Sequence, residues 1–500
     1  MSQQLEFDLK IDLWDSITDK LSKPSGYKGL SALHKYWGKK PMEYLSFLIE
    51  HFTRRGDIVL DPFLGSGLLA LETINMQRRF IGIDINPISI ELARFFTNLP
   101  SYEELKEGFL AVEKEVKDKI NSTYLTKNNN IATHYLYDGE IIKSVWIKNE
   151  HKQKSKLIPT EFDFQLAHQF HNYKPVNIGT GEFFQNSRIN TKADMTINDL
   201  FTGRALYCID LLIQSINKTN DKIKSALLLM LTSASGQMSK MVFAITNRGK
   251  NNGTPSKIDI EVGSWAIGYW KPKLHFEINV WNCFDNKVQK LLKTLKYQDT
   301  NNYTQVDDLN TFWDSKSDLC LIENDCKKIL NNIPDDTIEL IITDPPHGDR
   351  IPYLELSSLW NALLHKKPDY VSEIVVSNAK EREKNIASYN LDMKSVLCNM
   401  IRILKPQGIL ALIFNAVDKK YWEFLTDIDL KSKGTTYLGC FPLNYSANSL
   451  VQDNRQGALK HDYVLIFRKV QNHDNTDAMS VFNKIQGWSI NFPLPLGEEK

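Results

Sequence analysis

Paired cysteines are missing from this sequence. Its six cysteines (Cys208, Cys283, Cys320, Cys326, Cys398 and Cys440) are never spaced as C-x-x-C, and none precedes Cys208. That removes the usual zinc signatures, and a chain of 500 residues buries enough surface to need no disulfide framework. The cysteines therefore read as reduced core thiols, and no metal is expected. Long apolar runs are missing too. The richest stretch, Ser225 to Ala234, falls well short of the ~18 residues a membrane span needs, and the opening MSQQLEFDLK lacks the pattern of a secretion signal. These absences lead to the expectation of a cytoplasmic enzyme with no membrane partner. Nor is there a surplus of charge: 61 Lys and Arg face 60 Asp and Glu, net +1. Any surface for a polyanion must be local. With 42% apolar and 24% charged residues, the composition is that of a globular chain with room for roughly two to four domains.

Residues 41–52 carry apolar positions at helical spacing (Tyr44, Leu45, Leu48, Ile49, Phe52), followed by the turn residues Arg55, Gly56 and Asp57. IVLDPF then reads as a short buried strand, GSGLLALETINM as a helix opened by a glycine-rich turn, and RRFIGIDIN as a second strand ending in an acid. This is a βαβ unit. From residue 101 the pattern changes to a charged helix, the polar linker LTKNNN, and the hairpin ATHYLYDGEIIKSVWI turning at Asp138 and Gly139. Two buried helices follow (residues 198–217 and 222–238), then the loop TNRGKNNGTPSK and an aromatic strand region, GSWAIGYWKPKLHFEINVW. Near Leu319 the alternation of strand and helix resumes with CLIEND, IELIITDPPH, a helix leading through a K-P-Q-G turn into ILALIFN, and HDYVLIFRK. The expected organisation is α/β: residues 1–100 and 319–470 form two pieces of one sheet, residues 101–318 an inserted α+β domain, and residues 471–500 a tail. An insertion of about 218 residues is too long for a bare loop.

Two constellations carry chemistry. The first is Asp61-Pro62-Phe63-Leu64-Gly65-Ser66-Gly67 at a strand end, with Asp84 closing the next strand. Two glycines let the backbone approach a ligand closely, and a carboxylate at the second strand end can accept from both hydroxyls of a ribose. The same turn fits the dinucleotide pattern G-x-G-x-x-A, so an NAD-type oxidoreductase is a rival at this point. An acid at Asp61 distinguishes them: it suits the amino group of a methionine moiety and repels a pyrophosphate, which argues for S-adenosylmethionine. The second constellation is Asp344-Pro345-Pro346-His347, directly after IELIIT. The prolines stiffen the loop, so their carbonyls and the Asp344 carboxylate are expected to face outward as fixed acceptors for an exocyclic amine. Accepting both N–H groups favours a pyramidal nitrogen whose lone pair points at a sulfonium methyl. His347 offers a flat ring on which an extruded base can stack. Between the two, Asp325 in Glu323-Asn324-Asp325-Cys326 ends a strand where an acid or an N–H reaches the cofactor's adenine.

With these residues read, the chain resembles the amino-methylating DNA methyltransferases, which methylate adenine N6 or cytosine N4. DPFLGSG looks like that family's first cofactor motif, GIDINP its second, with Ile85 and Asn86, ENDCKKIL its third, and ITDPPHGD its catalytic motif, usually written D/N/S-P-P-Y/F. HKYWGKKP, with Lys39 and Pro41, is similar to the segment that lines the methionine end of the cofactor, and RILKPQGIL to a later sheet motif. The resemblance covers about 225 residues and implies a Rossmann-like class I methyltransferase sheet. A closer resemblance is to large prokaryotic adenine-specific methylases with a long insertion, through NDLFTGRAL, SWAIGYWKP with NVW, and PYLELSSLWN. His347 stands where Tyr is commoner, whereas an acid first residue, Asp344, resembles the adenine branch.

The motif order resembles the arrangement in which the insertion recognises the target. Residues 236–257 hold Lys240, Arg248, Lys250 and Lys257 and no acid, with Asn and Gln able to read base edges, and Lys143 to Lys156 add five lysines beside Trp146. Lys240, Arg248 and Lys250 are the candidate DNA contacts. The reading is an S-adenosylmethionine-dependent methyltransferase acting on a flipped adenine in a specific duplex site, with double-stranded DNA and a cognate restriction or defence-system subunit as partners. Its alternatives are an N4-cytosine methyltransferase, an RNA guanine-N2 methyltransferase, and a catalytically silent DNA-binding subunit.

Overall fold

The computed structural model describes residues 24–148, 153–246, 250–251, 254–255, 260–265, 267–298, 303–315, 317–416, 418–426, 434–443 and 462–470. The first part holds α1 (Met42–Phe52), β1 (Ile58–Asp61), α2 (Leu68–Asn75), β2 (Arg79–Asp84) and α3 (Pro87–Thr97). The middle holds α4 (Tyr102–Ser122), β3 (Ala132–Asp138), β4 (Ile141–Lys148), β5 (Lys154–Leu157), α5 (Glu161–His168), α6 (Gly203–Ile216), α7 (Asp221–Met238), β6 (Ala244–Thr246), β7 (Lys250–Asn251), β8 (Thr254–Pro255), β9 (Ile260–Val262), β10 (Leu274–Ile278) and α8 (Val280–Leu295). The last part holds β11 (Gln305–Val306), α9 (Leu309–Asp314), β12 (Leu319–Glu323), α10 (Cys326–Asn331), β13 (Ile338–Thr343), α11 (Tyr353–Leu363), α12 (Ile386–Ile403), β14 (Leu404–Phe414), α13 (Glu423–Thr426), β15 (Thr435–Leu443) and β16 (Asp462–Lys469).

An eight-stranded sheet runs β11-β12-β2-β1-β13-β14-β16-β15. Its first six strands are parallel, and β16 lies antiparallel between β14 and β15. The fold is thus mixed α/β around a largely parallel sheet. Both faces are covered, which is why the central strands read as unbroken apolar runs. Val59, Phe80, Leu340 and Ile342 pack toward α1 and α2, while their neighbours Leu60, Ile81 and Ile341 pack toward α10 and α12. β1 has β2 on one side and β13 on the other, although β13 follows it by more than 270 residues. The strand order reverses at this pair, and in an open α/β sheet the crevice outside such a reversal is where ligands bind.

The segment between β2 and β11 builds a four-stranded antiparallel sheet, β10-β3-β4-β5, and the helices α4, α6, α7 and α8. Its core runs without a break into the rest of the chain: Phe109, Ile209, Met230 and Trp281 share one cluster with Leu33, Trp37, Leu92 and Trp360. A buried ion pair, Arg204 to Glu277 at 2.7 Å, lies inside this region with Tyr137 hydrogen-bonded to the guanidinium. Among the described residues no helix is long and apolar enough to cross a membrane.

At three places the chain departs from the pattern its sequence suggests. The large sheet is rejoined at Gln305, before Leu319, by the two-residue strand β11. Most of GSWAIGYWKPKLHFEINVW is not strand: Leu274–Ile278 pairs with β3, but Asn279 caps α8 through its side chain, so Val280 and Trp281 are helical. Asn is a good N-cap because its side-chain oxygen satisfies a free helix N–H, a signal that outweighs the β preference of Val and Trp. The K-P-Q-G turn is a loop within β14 rather than before it. Ile338 pairs with Leu404 and Leu340 with Ile409, and Gln407 adopts a φ of +70° inside the loop. The tail 471–500 lies outside the described residues.

Candidate active site

The turn after β1 is fixed by backbone geometry. Gly65 and Gly67 sit at φ +55° and +74°, and a Cβ on Gly67 would lie 2.7 Å from the Ala93 Cα of α3. Only glycine meets both demands. Asp84, at the end of β2, accepts from the Gly65 N–H (2.7 Å) through Oδ2 and from the Asn86 N–H (2.8 Å) through Oδ1. One carboxylate thereby ties the turn after β1 to the turn after β2. Asp61 accepts from the Phe63 N–H at 3.0 Å and from Thr343 Oγ1 at 2.8 Å. Burial pushes Asp61 up to about 7 and Asp84 up to about 6, despite these hydrogen bonds.

An open cleft lies over these strand ends. Of the sequence-predicted residues, Lys39, Asp61, Pro62, Phe63, Gly65, Ser66, Asp84, Ile85, Asn86, Asp325, Asp344 and Pro346 line it. Pro41, Gly67, Pro345 and His347 are not in its wall. Pro41 precedes α1 and Gly67 caps α2, so each shapes an adjacent helix start. The cleft also draws on Tyr36, Trp37, Gly38 and Lys40 of the segment HKYWGKKP, and on Tyr353 and Glu373. Tyr36 and Tyr353 stack at 5.8 Å, joining the segment before α1 to the start of α11, and Trp37 stacks on Trp360 at 4.6 Å. PYLELSSLWN, a family cue in the sequence, supplies Tyr353 and Leu354 to this wall.

Not every predicted side chain acts where expected. The Lys39 ammonium turns away from Asp344 and donates to the Ser31 and His34 carbonyls at 2.8 and 2.5 Å; burial lowers its pKa to about 7. Lys40 is the lysine that reaches Asp344, its Nζ 2.8 Å from Oδ2 and 3.0 Å from Asp462 Oδ2. The Asn86 side chain is bound to α11, donating to Ser357 (2.9 Å) and accepting from Asn361 (3.1 Å). Asp325 accepts from the Lys327 N–H at 2.9 Å and so caps α10. The Pro346 carbonyl does not face outward as expected, because it accepts from the Tyr389 hydroxyl at 2.6 Å. His347 presents no flat face to the cleft: its side chain is 7% exposed and meets Phe414 edge-on at 4.8 Å.

Of the candidate DNA contacts, only the side chain of Lys240 falls among the described residues. Lys240 lies 3.7 Å from Glu140; Arg248 and the side chain of Lys250 lie outside the described residues, although Lys250 itself pairs with Pro255 in β7. On the four-stranded sheet, Lys148 stands opposite Lys154 and Trp146 opposite Lys156. The Lys154 and Lys156 ammonium groups lie 4.7 and 5.5 Å from the Trp146 ring centre. Among the described residues no three His, Cys, Asp or Glu side chains gather as metal ligands.

Residues 8–95 match the N6/N4 methyltransferase family model, described as DNA methylase. Type II methyltransferase M.MjaII of Methanocaldococcus jannaschii is 33% identical over 162 residues, 32% of this chain and 27% of that protein. The chain resembles the amino-methylating DNA methyltransferases. Two further relatives agree: M2.DpnII of Streptococcus pneumoniae, 37% identical over 84 residues (17% of this chain, 28% of that protein), and M.HpaI of Haemophilus parainfluenzae, 27% identical over 141 residues (25% and 44%). Both are type II methyltransferases. The chain spans between 27% and 44% of the length of these curated methyltransferases.

Proposed function

We propose that this protein is an S-adenosylmethionine-dependent DNA methyltransferase that transfers a methyl group to N6 of an adenine turned out of a specific duplex site. The observation that carries the reading is the meeting, in one cleft, of three acids at or just after strand ends (Asp61, Asp84, Asp325) with Asp344 and Pro346 of the D-P-P loop. The donor set fits the cofactor. Asp61 is a buried carboxylate in the cleft wall, raised to about 7, and a ligand ammonium beside it relieves the cost of ionising it. Asp84 keeps acceptor capacity on both oxygens for a ribose diol, since each takes one backbone N–H and has a second lone pair. Asp325 and Phe63 flank the place for an adenine ring. When bound, the cofactor supplies an electrophilic methyl on a sulfonium.

The protein's own contribution is positional. Asp344 accepts from the amine of the base, and the two prolines after it stiffen the loop that carries it. The aromatic wall of Tyr36, Trp37 and Tyr353 excludes water from one side of the cleft. The inserted segment carries the duplex, and the lysines of β4 and β5 neutralise phosphates. In this reading the protein works in the cytoplasm, with a cognate restriction subunit as its partner.

Mass spectrometry of nucleosides from unmethylated plasmid DNA, after incubation with the protein and S-adenosylmethionine, tests the reading. N6-methyladenine that is absent with Asp344→Ala supports it. N4-methylcytosine would keep the chemistry and replace the base, methylated guanine in tRNA would move the substrate to RNA, and tight DNA binding without transfer would make the chain a silent subunit.

A further inference from the structure

The Asp344 carboxylate closes a ring of five side chains. Its Oδ2 takes the Lys40 ammonium at 2.8 Å, and Lys40 also meets Asp462 Oδ2 at 3.0 Å. The other Asp462 oxygen binds Arg350 Nη1 at 2.8 Å, and the same Nη1 lies 3.2 Å from His347 Nδ1. His347 Nε2 returns to Asp344 Oδ1 at 3.1 Å. Asp462, the first residue of β16, is 1% exposed. The ring therefore joins the segment before α1, the catalytic loop and the last strand.

A guanidinium only donates hydrogen bonds, so His347 Nδ1 must accept, and its single proton must sit on Nε2. The Nε2 proton then faces Asp344 Oδ1. The other oxygen, Oδ2, is on the side of Gly38 in the cleft wall, where a Cβ would come within 4.0 Å of it.

Resting on the methyltransferase reading, we propose that His347, Arg350 and Asp462 are positioning residues for Asp344. Asp462 anchors Arg350, Arg350 fixes the His347 tautomer, and His347 pins one carboxylate oxygen so that the other meets the substrate amine. Lys40 holds that second oxygen until the amine displaces it and is then retained by Asp462. A histidine at the fourth place of the D-P-P motif is thus a hydrogen-bond donor to Asp344 rather than a platform for the base.

The test uses the full chain with 15N-labelled histidine, the His347 signal among the 11 histidines being assigned with His347→Gln. The expected spectrum shows His347 neutral with its proton on Nε2, and Arg350→Met loses that fixed tautomer. A parent spectrum with the proton on Nδ1, or with both nitrogens protonated, overturns the proposal. In steady-state methylation, Arg350→Met and His347→Phe should lower kcat about 10- to 100-fold, with cofactor affinity and DNA KM within about threefold, because a slightly misplaced acceptor costs rate rather than binding. His347→Gln keeps an N–H donor and should recover part of the loss. Unaltered cofactor binding reports that each variant is folded. Parent-level kcat in both His347→Phe and Arg350→Met would overturn the positioning role while leaving the methyltransferase reading intact. If the parent chain methylates no nucleic acid, that reading fails, and the tautomer spectrum still decides the geometry.

Discussion

Thr343 donates its hydroxyl hydrogen to Asp61 Oδ1 at 2.8 Å, across 282 residues of sequence. The last residue of β13 thereby orients the acid at the end of β1, so the half of the chain carrying Asp344 also sets the half expected to bind the cofactor. The two proposed roles are expected to be separable by mutation.

Removing Asp344 should stop transfer without emptying the cleft. Asp344→Ala is expected to lower kcat by 10³-fold or more, on the order of a lost key transition-state contact, with cofactor Kd changed by less than about threefold. Asp84→Ala should instead weaken cofactor binding at least about tenfold, because the Gly65 and Asn86 backbones lose their shared anchor as well as the ribose acceptor. Calorimetric Kd values beside single-turnover rates check this, and equal loss of affinity in both variants contradicts it.

Cofactor binding should expel protons below neutral pH. Burial holds Asp61 up at about 7 and Asp84 at about 6, so the folded, cofactor-free protein keeps protons that the unfolded chain has already lost. These two groups therefore make stability decline as pH rises from about 4 to about 7. A ligand cation beside Asp61 favours its ionised form, so affinity should rise with pH over the upper part of that window and level off above it. Calorimetry at pH of about 6 in two buffers of different ionisation enthalpy should report net proton release, smaller in Asp61→Asn and absent near pH of about 8.5. Proton uptake at the lower pH is the opposite result.

Gly67→Ala should damage the fold more than the chemistry. The added methyl would meet the Ala93 backbone at 2.7 Å, and φ is +74° at this position. Overpacking against backbone combined with a left-handed conformation is expected to cost about 2–4 kcal/mol. Urea denaturation measures it; a midpoint equal to that of the parent would mean that α2 can move away from α3 freely.

The lysines of β4 and β5 should contribute to salt-dependent affinity. With Lys148 opposite Lys154, like charges face each other across the strand pair, an arrangement that an anionic partner relieves. The double variant Lys154→Ala, Lys156→Ala is expected to weaken duplex binding about equally for all sequences and to reduce the slope of log K against log salt by about 1–2. A fluorescence titration at several salt concentrations decides; an unaltered slope removes this strand pair from the interface.

The elements that build the cleft floor were legible because local rules and global fold agree there. β1, the glycine turn, α2 and β2 fall where the apolar runs and glycines put them, and each strand-end acid, Asp61, Asp84 and Asp325, reaches the cleft. The ring around Asp344 was not legible. HKYWGKKP offers two adjacent lysines, and nothing local says that the second one turns toward residue 344 while the first satisfies carbonyls of its own segment. Asp462 reads as the polar start of a strand, because its partners Lys40 and Arg350 come from segments far away in sequence. The stretch around Trp265 and Trp270 misled through composition: aromatics favour strands, yet here Trp265 donates to the Gly268 carbonyl at 2.6 Å in a loop and stacks edge-on against Trp37.

The pairing of β1 with β13 also sets a timetable for the nascent chain. At about 5–20 residues per second of synthesis, the ribosome finishes Asp61 roughly 15–60 s before it reaches Thr343, given the 282 residues between them. In the folded protein β1 lies between β2 and β13, so one of its two edges can be covered only after residues 338–343 have been made. Such an edge pairs readily with foreign strands. The helices encoded in between share one apolar cluster with Trp37 and α3, so the partner for that face of the early half is made before the strand that completes its sheet.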